Sequence, residues 1–541
     1  MRKRLVRFDS WIESLTPARG ALIVAGLALV VWVLQSIAWP VGAGRDLGTY
    51  LRYYAQMWGW DAVLPQAMLG RTPGTPLVTG LVLEAGPVAV EVLMAVLFIA
   101  SVVAWTLAGA AFGRRVSVLV AALLLLYPGY GAVFHEFSSD ALSAAGFAFW
   151  GLAAVRVSLR PSVARFALLG LGVVALVLIR PGNQVLLAFG LAPLVLGGLW
   201  RARLARSAAF LGVAIGLLAV WATNNAVRYD DFAVARGTNI VLPYFRTFSE
   251  ERIVSPENGP ASRRLARAVQ THLLNEEPYR SYGVGLDAFF SSGSDRMLED
   301  SASLTDRVFG WDSDYAILRE VGLEAVRKHP RAYASGVAHT LWRLLRSPAY
   351  ITPHARSASS GDTSGAGEVE TIVVNGRKLP KPSEGELIPG SRQGLWTSTP
   401  DNRIREVWTS PTEHHLEFTR PGDAARVEHV DAEISRLLDR LPDRAGKPTL
   451  AHRLNQAAYR FPPPGLWLAV GLIALALRRP RRARVALLLA GAAFLVLLIS
   501  ALGLPASGEY AMPVIPAFAL LAGVGLLGSR RSPSPEYAPS P

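Results

Sequence analysis

The sequence predicts a mainly α-helical fold: a polytopic transmembrane bundle of about ten spans, with a mixed extracytoplasmic domain inserted before the last three. Two observations support this prediction. Apolar residues make up 51% of the 541 residues and charged residues only 18%, which is too few charges for a soluble protein of this length. The apolar residues also fall in runs of roughly 20, the helical length that crosses a hydrocarbon core of about 30 Å.

The spans are predicted from these runs, which short arginine-rich segments separate. The net charge of +14 comes from arginines that flank the runs, so we expect no nucleic-acid partner. The chain has no cysteine, which excludes disulfides, thiolate metal sites and a cysteine nucleophile. The predicted spans are residues 20–39, 87–111, 117–134, 141–157, 164–179, 184–200, 207–225, 464–477, 484–502 and 510–528.

The arginine clusters predict the orientation. With the N-terminus in the cytoplasm, the clusters at 113–115, 156–165, 201–206 and 478–484 all fall on the cytoplasmic side. This agreement requires residues 74–86 to be a re-entrant or interfacial segment rather than a span. The sequence therefore predicts a multi-pass protein of the cell membrane with its large domain outside the cytoplasm.

Four regions follow from this topology. Residues 1–227 form an N-terminal transmembrane module whose external loops carry the candidate catalytic residues. Residues 228–461 form the extracytoplasmic domain, in which a loop at 352–395, rich in Ser, Gly and Pro, is predicted to be flexible. Residues 462–528 contain the last spans, and residues 529–541 form a cytoplasmic tail.

Local patterns predict some of the remaining structure. Apolar periodicity predicts helices at 313–329, 331–346 and 428–440, and Asn375-Gly376 predicts a hairpin turn. Residues 1–16 have one apolar face and are predicted to lie as a helix in the membrane interface.

The first external loop, residues 40–86, contains a candidate catalytic carboxylate. Asp46 precedes an amphipathic helix whose Tyr50 and Tyr54 share one face with Leu47. Aspartate at this position also suits a helix N-cap. A cap and a catalytic group are compatible, so both roles stay open for Asp46.

The second external loop is short and contains three ionisable residues, His135, Glu136 and Asp140. Charged groups at a membrane boundary are costly unless they face water or a polar cavity, which makes them functional candidates. The alternative is a solvated loop in which Asp140 or a neighbouring serine caps the next helix.

Arg180 ends the fifth predicted span on the external side and so departs from the positive-inside pattern. An external arginine at membrane depth suits an anionic partner such as a lipid phosphate. The alternative is an arginine that extends to the interface. The pair His414-His415 lacks further ligands at metal spacing and is predicted to be a surface pair.

Several short motifs occur in an order that resembles the GT-C superfamily of membrane glycosyltransferases, in particular the branch of protein O-mannosyltransferases and lipid A aminoarabinose transferases. The sequence departs from that pattern at Glu509, where an arginine is usual. The motifs are 44–50 (GRDLGTY), 71–77 (RTPGTPL), 113–115 (GRR), Ser139-Asp140, Arg180-Pro181, 324–333 (EAVRKHPRAY) and 509–516 (EYAMPVIP).

This resemblance implies a glycosyltransferase that takes its sugar from a polyprenyl-phosphate donor. Asp46 would remove the proton of the attacking acceptor hydroxyl. Arg180, with Arg45, would bind the donor phosphate, while Asp140 and Glu136 orient the acceptor or the base.

The remaining predictions concern partners, cofactors, an alternative function and substrate contacts. The acceptor is a glycan, lipid or protein hydroxyl, and membrane lipid surrounds the protein. We expect no cofactor; a divalent metal ion between the external acids is possible but not favoured. The alternative function is a non-enzymatic transporter or scaffold for envelope polysaccharide or lipid. Four residues are expected to contact substrate: Tyr50, Tyr54, His135 and Asn183.

Overall fold

A computed structural model describes residues 16–346, 370–389 and 394–529, and these ranges are mainly helical. Nearly all of the predicted interfacial helix at 1–16, the greater part of the 352–395 loop, and all but the first residue of the 529–541 tail lie outside the described residues.

The first half of the chain is almost entirely helical. A 3₁₀ helix at Pro181–Leu191 interrupts it before the two final elements of this half. Its elements are α1 Pro17–Ala38, β1 Gly42–Ala43, α2 Leu47–Tyr54, α3 Pro65–Leu69, α4 Gly74–Glu84, α5 Pro87–Ala110, α6 Arg114–Leu126, α7 Pro128–Ala132, β2 Glu136–Phe137, α8 Ser139–Leu159, α9 Val163–Ile179, α10 Ala192–Val195 and α11 Trp200–Tyr229.

The second half contains shorter helices, two hairpins and the closing helices of the bundle. It begins with an irregular helical segment, Ile240–Glu250. Its elements are α12 Pro260–His272, α13 Tyr279–Tyr282, α14 Leu286–Ser291, α15 Asp295–Phe309, α16 Ala316–Lys328, α17 Pro330–Arg346, β3 Thr371–Val374, β4 Arg377–Pro380, β5 Ile404–Trp408, β6 His414–Phe418, α18 Asp423–Leu438, α19 Pro448–Arg460, α20 Pro464–Arg478, α21 Ala483–Gly503, α22 Gly508–Ala511 and α23 Pro516–Leu527.

Six helical runs among the described residues are long and apolar enough to cross a membrane. A seventh span results if Arg114–Leu126 and Pro128–His135, which are bent by 67°, count as one. The prediction of a polytopic helical membrane protein is therefore confirmed in this coarser form. The six runs are Pro17–Ala38, Pro87–Ala110, Ser139–Leu159, Trp200–Tyr229, Pro448–Arg478 and Ala483–Gly503.

The other predicted spans correspond to shorter apolar helices, Val163–Ile179, Pro181–Val195 and Pro516–Leu527. The stretch predicted as a single span at 184–200 is instead a 3₁₀ helix followed by the four-residue α10. A proline inside this stretch, Pro193, removes a backbone donor and disfavours one continuous α-helix.

Small residues allow the bundle helices to approach closely. A Cβ atom at Gly170 of α9 would lie 2.5 Å from the carbonyl oxygen of Phe210 in α11. A Cβ atom at Gly471 of α20 would lie 2.9 Å from the backbone nitrogen of Ala522 in α23. These contacts match the packing of helices in membranes, where backbones meet at small residues.

The region between α11 and α20 combines two kinds of packing. Its first part has a hydrophobic core of its own, which includes Tyr244, Phe248 and Leu318. In contrast, the apolar face of α18, with Val430 and Leu437, joins the hydrophobic core of the bundle. The region is therefore partly a separate globular unit and partly a layer packed on the helices.

This region contacts the loop that follows α1. The backbone nitrogen of Arg236 donates to the Leu69 carbonyl at 2.7 Å. In α18, Arg436 and Arg440 form ion pairs with Glu84 at the end of α4. These contacts hold the region over one end of the bundle.

The local predictions inside this region are confirmed. The helices predicted at 313–329, 331–346 and 428–440 correspond to α16, α17 and α18. Strands β3 and β4 pair in antiparallel fashion around Asn375-Gly376. Both turn residues have positive φ, 50° and 77°, as a tight type I′ hairpin requires.

Candidate functional site

The site is built on a short parallel pairing between two loops. Gly42 of β1 faces Glu136 of β2, although 94 positions separate them in the sequence. The pairing continues as the backbone nitrogen of Gly44 donates to the Phe137 carbonyl at 3.2 Å. A Cβ atom at Gly44 would lie 2.5 Å from Ser138 Cβ, so the approach requires glycine.

Asp46 follows this pairing and begins α2. It occupies the N-cap position with a left-handed backbone (φ 64°), but its side chain makes no capping hydrogen bond. Instead, its Oδ2 accepts from Arg71 Nη2 at 3.1 Å, and 44% of the side chain is exposed. The carboxylate is thus held by an arginine and remains accessible.

Asp140 begins α8, one turn from the same loop pairing. Ser138 caps this helix, because its Oγ accepts from the Asp140 backbone nitrogen at 3.2 Å. The Asp140 side chain is nearly buried and accepts a hydrogen bond from Arg180. Of the two alternatives for this loop, Ser138 therefore provides the cap and Asp140 provides an ion pair.

Arg180 ends α9 and points toward Asp140 rather than outward to the interface. Its Nη1 also donates to the Glu509 carbonyl at 3.2 Å. The guanidinium lies over the Tyr510 ring, 4.8 Å from its centroid. With only 20% of its side chain exposed, Arg180 is a positioned cation and not an interfacial arginine.

Glu509 joins the two predicted phosphate-binding arginines. Its Oε1 accepts from Arg45 Nη1 at 2.7 Å, while its backbone carbonyl accepts from Arg180. Burial acts to lower the pKa of Arg45, but Glu509 and other nearby groups outweigh it, and the pKa is raised. Arg45 is therefore a permanent cation, with 52% of its side chain exposed.

Tyr50 also links the first and second external loops. Its hydroxyl donates to Ser139 Oγ at 2.9 Å, and the Arg71 guanidinium lies 5.8 Å from its ring centroid. Burial raises the pKa of Tyr50, so the hydroxyl stays protonated. The side chain borders both Asp46, through Arg71, and Asp140, through Ser139.

Three other predicted residues lie outside this cluster. His135 is fully buried and stacks on Trp32, with ring centroids 4.2 Å apart. Tyr54 packs against Gly80 of α4. Asn183 is buried beside the cluster, where its Nδ2 donates to the Leu176 carbonyl at 2.9 Å and to Ser143.

Glu136 lies in β2, half-buried, at the loop pairing itself. It is thus close in the fold to the strand that leads to Asp46. The structure brings together five predicted residues through a network of contacts: Asp46, Arg45, Tyr50, Asp140 and Arg180.

Two members of this network, Arg71 and Glu509, are not predicted as site residues from the sequence. Both lie in motifs that resemble the GT-C pattern, which is the one signal that could have identified them. Their partners, Asp46 and Arg45, are 25 and 464 positions away, so no local pattern reveals the pairing.

The charges of the cluster balance. Three carboxylates, those of Asp46, Asp140 and Glu509, each pair with one arginine. Within the ranges that the structure describes, no group of three His, Asp or Glu side chains is arranged to hold a metal ion.

The cluster contains a carboxylate that can act in acid–base chemistry and an arginine that can bind an anion. An accessible carboxylate at Asp46 can accept a proton, and Arg45 offers an exposed positive charge close to it in the chain. The site lies where α1 ends and α8 begins, at one end of apolar helices. Comparison with known proteins gives no further assignment, because no protein-family model, curated protein or solved structure matches this chain.

Proposed function

We propose that this membrane protein is a glycosyltransferase that moves a sugar from a polyprenyl-phosphate donor to an acceptor hydroxyl at the extracytoplasmic face. One observation carries the proposal: carboxylates and arginines from separate parts of the chain meet at one end of the bundle. A reaction between a lipid-borne phosphate and a water-soluble or lipid acceptor requires such a cluster at a membrane boundary.

Asp46 is the proposed general base. As the acceptor oxygen attacks the anomeric carbon, its proton passes to the Asp46 carboxylate. The bond between the anomeric carbon and the phosphate oxygen breaks, and polyprenyl phosphate leaves. Arg71, 3.1 Å from Asp46 Oδ2, holds the carboxylate in position for this transfer.

Arg45 and Arg180 are the proposed partners of the donor phosphate. The exposed Arg45 side chain makes the first contact, because its guanidinium is already ordered by Glu509. Arg180 lies deeper, and Glu509 links it to Arg45. Fixed cations beside the leaving phosphate stabilise the charge that develops there.

Asp140 and Tyr50 have positioning roles in this proposal. Asp140 fixes the direction of Arg180, and Tyr50 ties the first loop to the start of α8 through Ser139. The region between α11 and α20, which packs on the first loop through Glu84, is proposed to lie outside the cytoplasm and to select the acceptor.

The second candidate is a non-enzymatic scaffold or transporter. One observation favours it: each carboxylate in the cluster already has an arginine partner, as in an ion-pair network that only holds loops together. The two functions differ in one respect. A scaffold leaves a lipid-linked sugar unchanged, whereas a transferase consumes it.

In the experiment, the purified protein is placed in liposomes. Membranes of its own cell provide the acceptor, and radiolabelled polyprenyl-phosphate hexoses and pentoses are the donors. We expect label to leave one of these donors and polyprenyl phosphate to accumulate. A sugar nucleotide serves as the control donor and is expected to remain intact. If every lipid donor stays unchanged while the protein is folded, the transferase proposal is wrong.

A further inference from the structure

A large cavity lies away from the proposed active site, between α8 and α9. It has a volume of about 990 Å³ and extends along most of both helices. Its walls are mainly apolar, with Phe149 and Leu152 of α8 facing Leu168 and Leu169 of α9. Phe149 and Leu168 are 50% and 67% exposed, so the cavity is a groove that opens to the bilayer.

One end of this groove is strongly basic. Four arginines line it there: Arg156, Arg160, Arg165 and Arg482. All four are exposed, and the residues that line the groove include no aspartate or glutamate. Four positive charges therefore meet at the mouth of an apolar groove.

Hydrogen bonds to the backbone hold two of these side chains at the groove. Arg165 Nη1 donates to the Arg160 carbonyl at 2.8 Å, and Arg482 Nη1 donates to the Ala111 carbonyl at 2.7 Å. Within the described ranges, none of the four arginines forms an ion pair with a carboxylate. Their charge is thus available to an anion from outside the chain.

We propose that this groove binds an anionic phospholipid. The phosphate lies against the arginines, and an acyl chain fills the apolar groove between α8 and α9. An arginine guanidinium can form two parallel hydrogen bonds to the oxygens of one phosphate. The acyl chain of the same lipid covers the apolar side chains that line the groove. This inference does not depend on the proposed transferase activity.

The location fits the predicted topology. The positive-inside rule places these arginines on the cytoplasmic side, and the cytoplasmic leaflet is the one that carries a negative surface potential. The opposite end of the groove reaches Ile179, next to Arg180. The rival occupant is therefore the prenyl tail of a donor whose phosphate lies at Arg180, and the experiment separates the two.

The experiment measures bound lipid by native mass spectrometry after transfer of the full-length protein from nanodiscs into detergent. The probes are phosphatidylglycerol, phosphatidylcholine with the same acyl chains, and polyprenyl phosphate. We expect the wild-type protein to retain phosphatidylglycerol in preference to phosphatidylcholine. Inorganic phosphate is expected not to displace it, because a free phosphate has no acyl chain for the groove.

Removing the charge tests the headgroup contact. The combined variant Arg156→Gln, Arg160→Gln, Arg165→Gln is expected to retain phosphatidylglycerol on the order of tenfold less well. The matched control removes three exposed arginines outside the groove: Arg114, Arg201 and Arg484. This control is expected to retain the lipid as the wild type does, and equal loss in both variants would overturn the proposal.

Filling the groove tests the acyl chain. Ala175 lines the groove and is exposed, so Ala175→Trp occupies space there and leaves the arginines in place. We expect this variant to lose phosphatidylglycerol while keeping the wild-type melting temperature in lipid-free detergent. Unchanged retention of phosphatidylglycerol contradicts the proposal. The proposal is also contradicted if polyprenyl phosphate displaces phosphatidylglycerol from the wild type and still binds the triple-arginine variant.

Discussion

Arg180 and Asp140 form an ion pair between the end of α9 and the start of α8, 40 positions apart in the sequence. Both side chains are largely removed from water, with 20% and 6% exposed. A buried ion pair adds little net stability, because the desolvation of both charges offsets their attraction, but removing one partner leaves the other charge buried and uncompensated. The pair therefore sets where the Arg180 guanidinium points.

The first prediction concerns this pair. Arg180→Ala is expected to destabilise the protein by about 3–5 kcal/mol, because the Asp140 carboxylate is left buried without its cation. The double variant Arg180→Ala, Asp140→Asn is expected to cost less than the sum of the single variants. Thermal unfolding in detergent measures all three. Additive effects would show that the two side chains do not interact.

The second prediction concerns the pairing of the two external loops. Gly44→Ala places a Cβ atom 2.5 Å from Ser138 Cβ and forces β1 away from β2. We expect at least about a tenfold loss of transfer activity, because small displacements of reacting groups are costly. The matched control is Gly48→Ala in α2, where a Cβ atom meets nothing within 4 Å. That variant is expected to keep its activity, and loss of activity there would undermine the explanation.

The third prediction separates donor binding from folding. Arg45→Ala is expected to raise the KM for the lipid donor by about tenfold, since a charge-assisted contact to phosphate is lost. Arg45 is 52% exposed but its partner Glu509 is only 10% exposed, so losing the pair is expected to cost more than the roughly 1 kcal/mol of a surface pair, and KM is measured on protein shown to be folded. Lys381→Ala removes a cation of similar exposure, 50%, whose partner Glu370 is 75% exposed and far from the site in sequence. An equal rise in KM in that control would contradict the assignment.

The fourth prediction is a pH dependence of stability outside the spans. Burial raises the pKa of Asp314 to about 6, and nearby Asp231 acts in the same direction. Burial likewise raises the pKa of Asp306 to about 6. A carboxyl with a raised pKa holds its proton more tightly in the folded state. Its stabilising contribution is complete below about pH 4 and is lost as the pH rises through about 6.

Unfolding followed by tryptophan fluorescence should therefore give lower stability at pH 7.5 than at pH 5. Asp314→Asn is expected to reduce that difference by roughly 1 kcal/mol. The control Asp312→Asn changes an exposed aspartate two residues away and is expected to leave the difference as it is. If the pH dependence of stability is unchanged in Asp314→Asn, the pKa of Asp314 does not differ between the folded and unfolded states.

Local patterns account for the parts of the fold that the sequence could predict. Apolar periodicity located α16, α17 and α18, and Asn375-Gly376 located the hairpin of β3 and β4. These features depend on residues only a few positions apart. The span count depends on more, because one proline, Pro193, and several glycines interrupt the stretch at 184–200, which forms a 3₁₀ helix and a short α-helix.

The site could be predicted only in part, for a physical reason. Asp46, Asp140 and Arg180 were found because charges at a membrane boundary are unusual. Their partners follow from tertiary contacts: Glu509 reaches Arg45 across 464 positions of the sequence. His135 was expected at the site because it shares a loop with Asp140, but its side chain packs on Trp32 inside the bundle.

The fifth prediction concerns the role of Asp46 as the general base of sugar transfer. The measurement is the initial rate of sugar transfer from the polyprenyl-phosphate donor by wild type, Asp46→Asn and Asp46→Glu. We expect a loss of about 10²–10⁴-fold in Asp46→Asn, partial recovery in Asp46→Glu and no loss in the control Asp61→Asn. Asp61 is an exposed aspartate of the same loop, paired with Arg426. If a folded Asp46→Asn protein transfers sugar at the wild-type rate, Asp46 is not the general base.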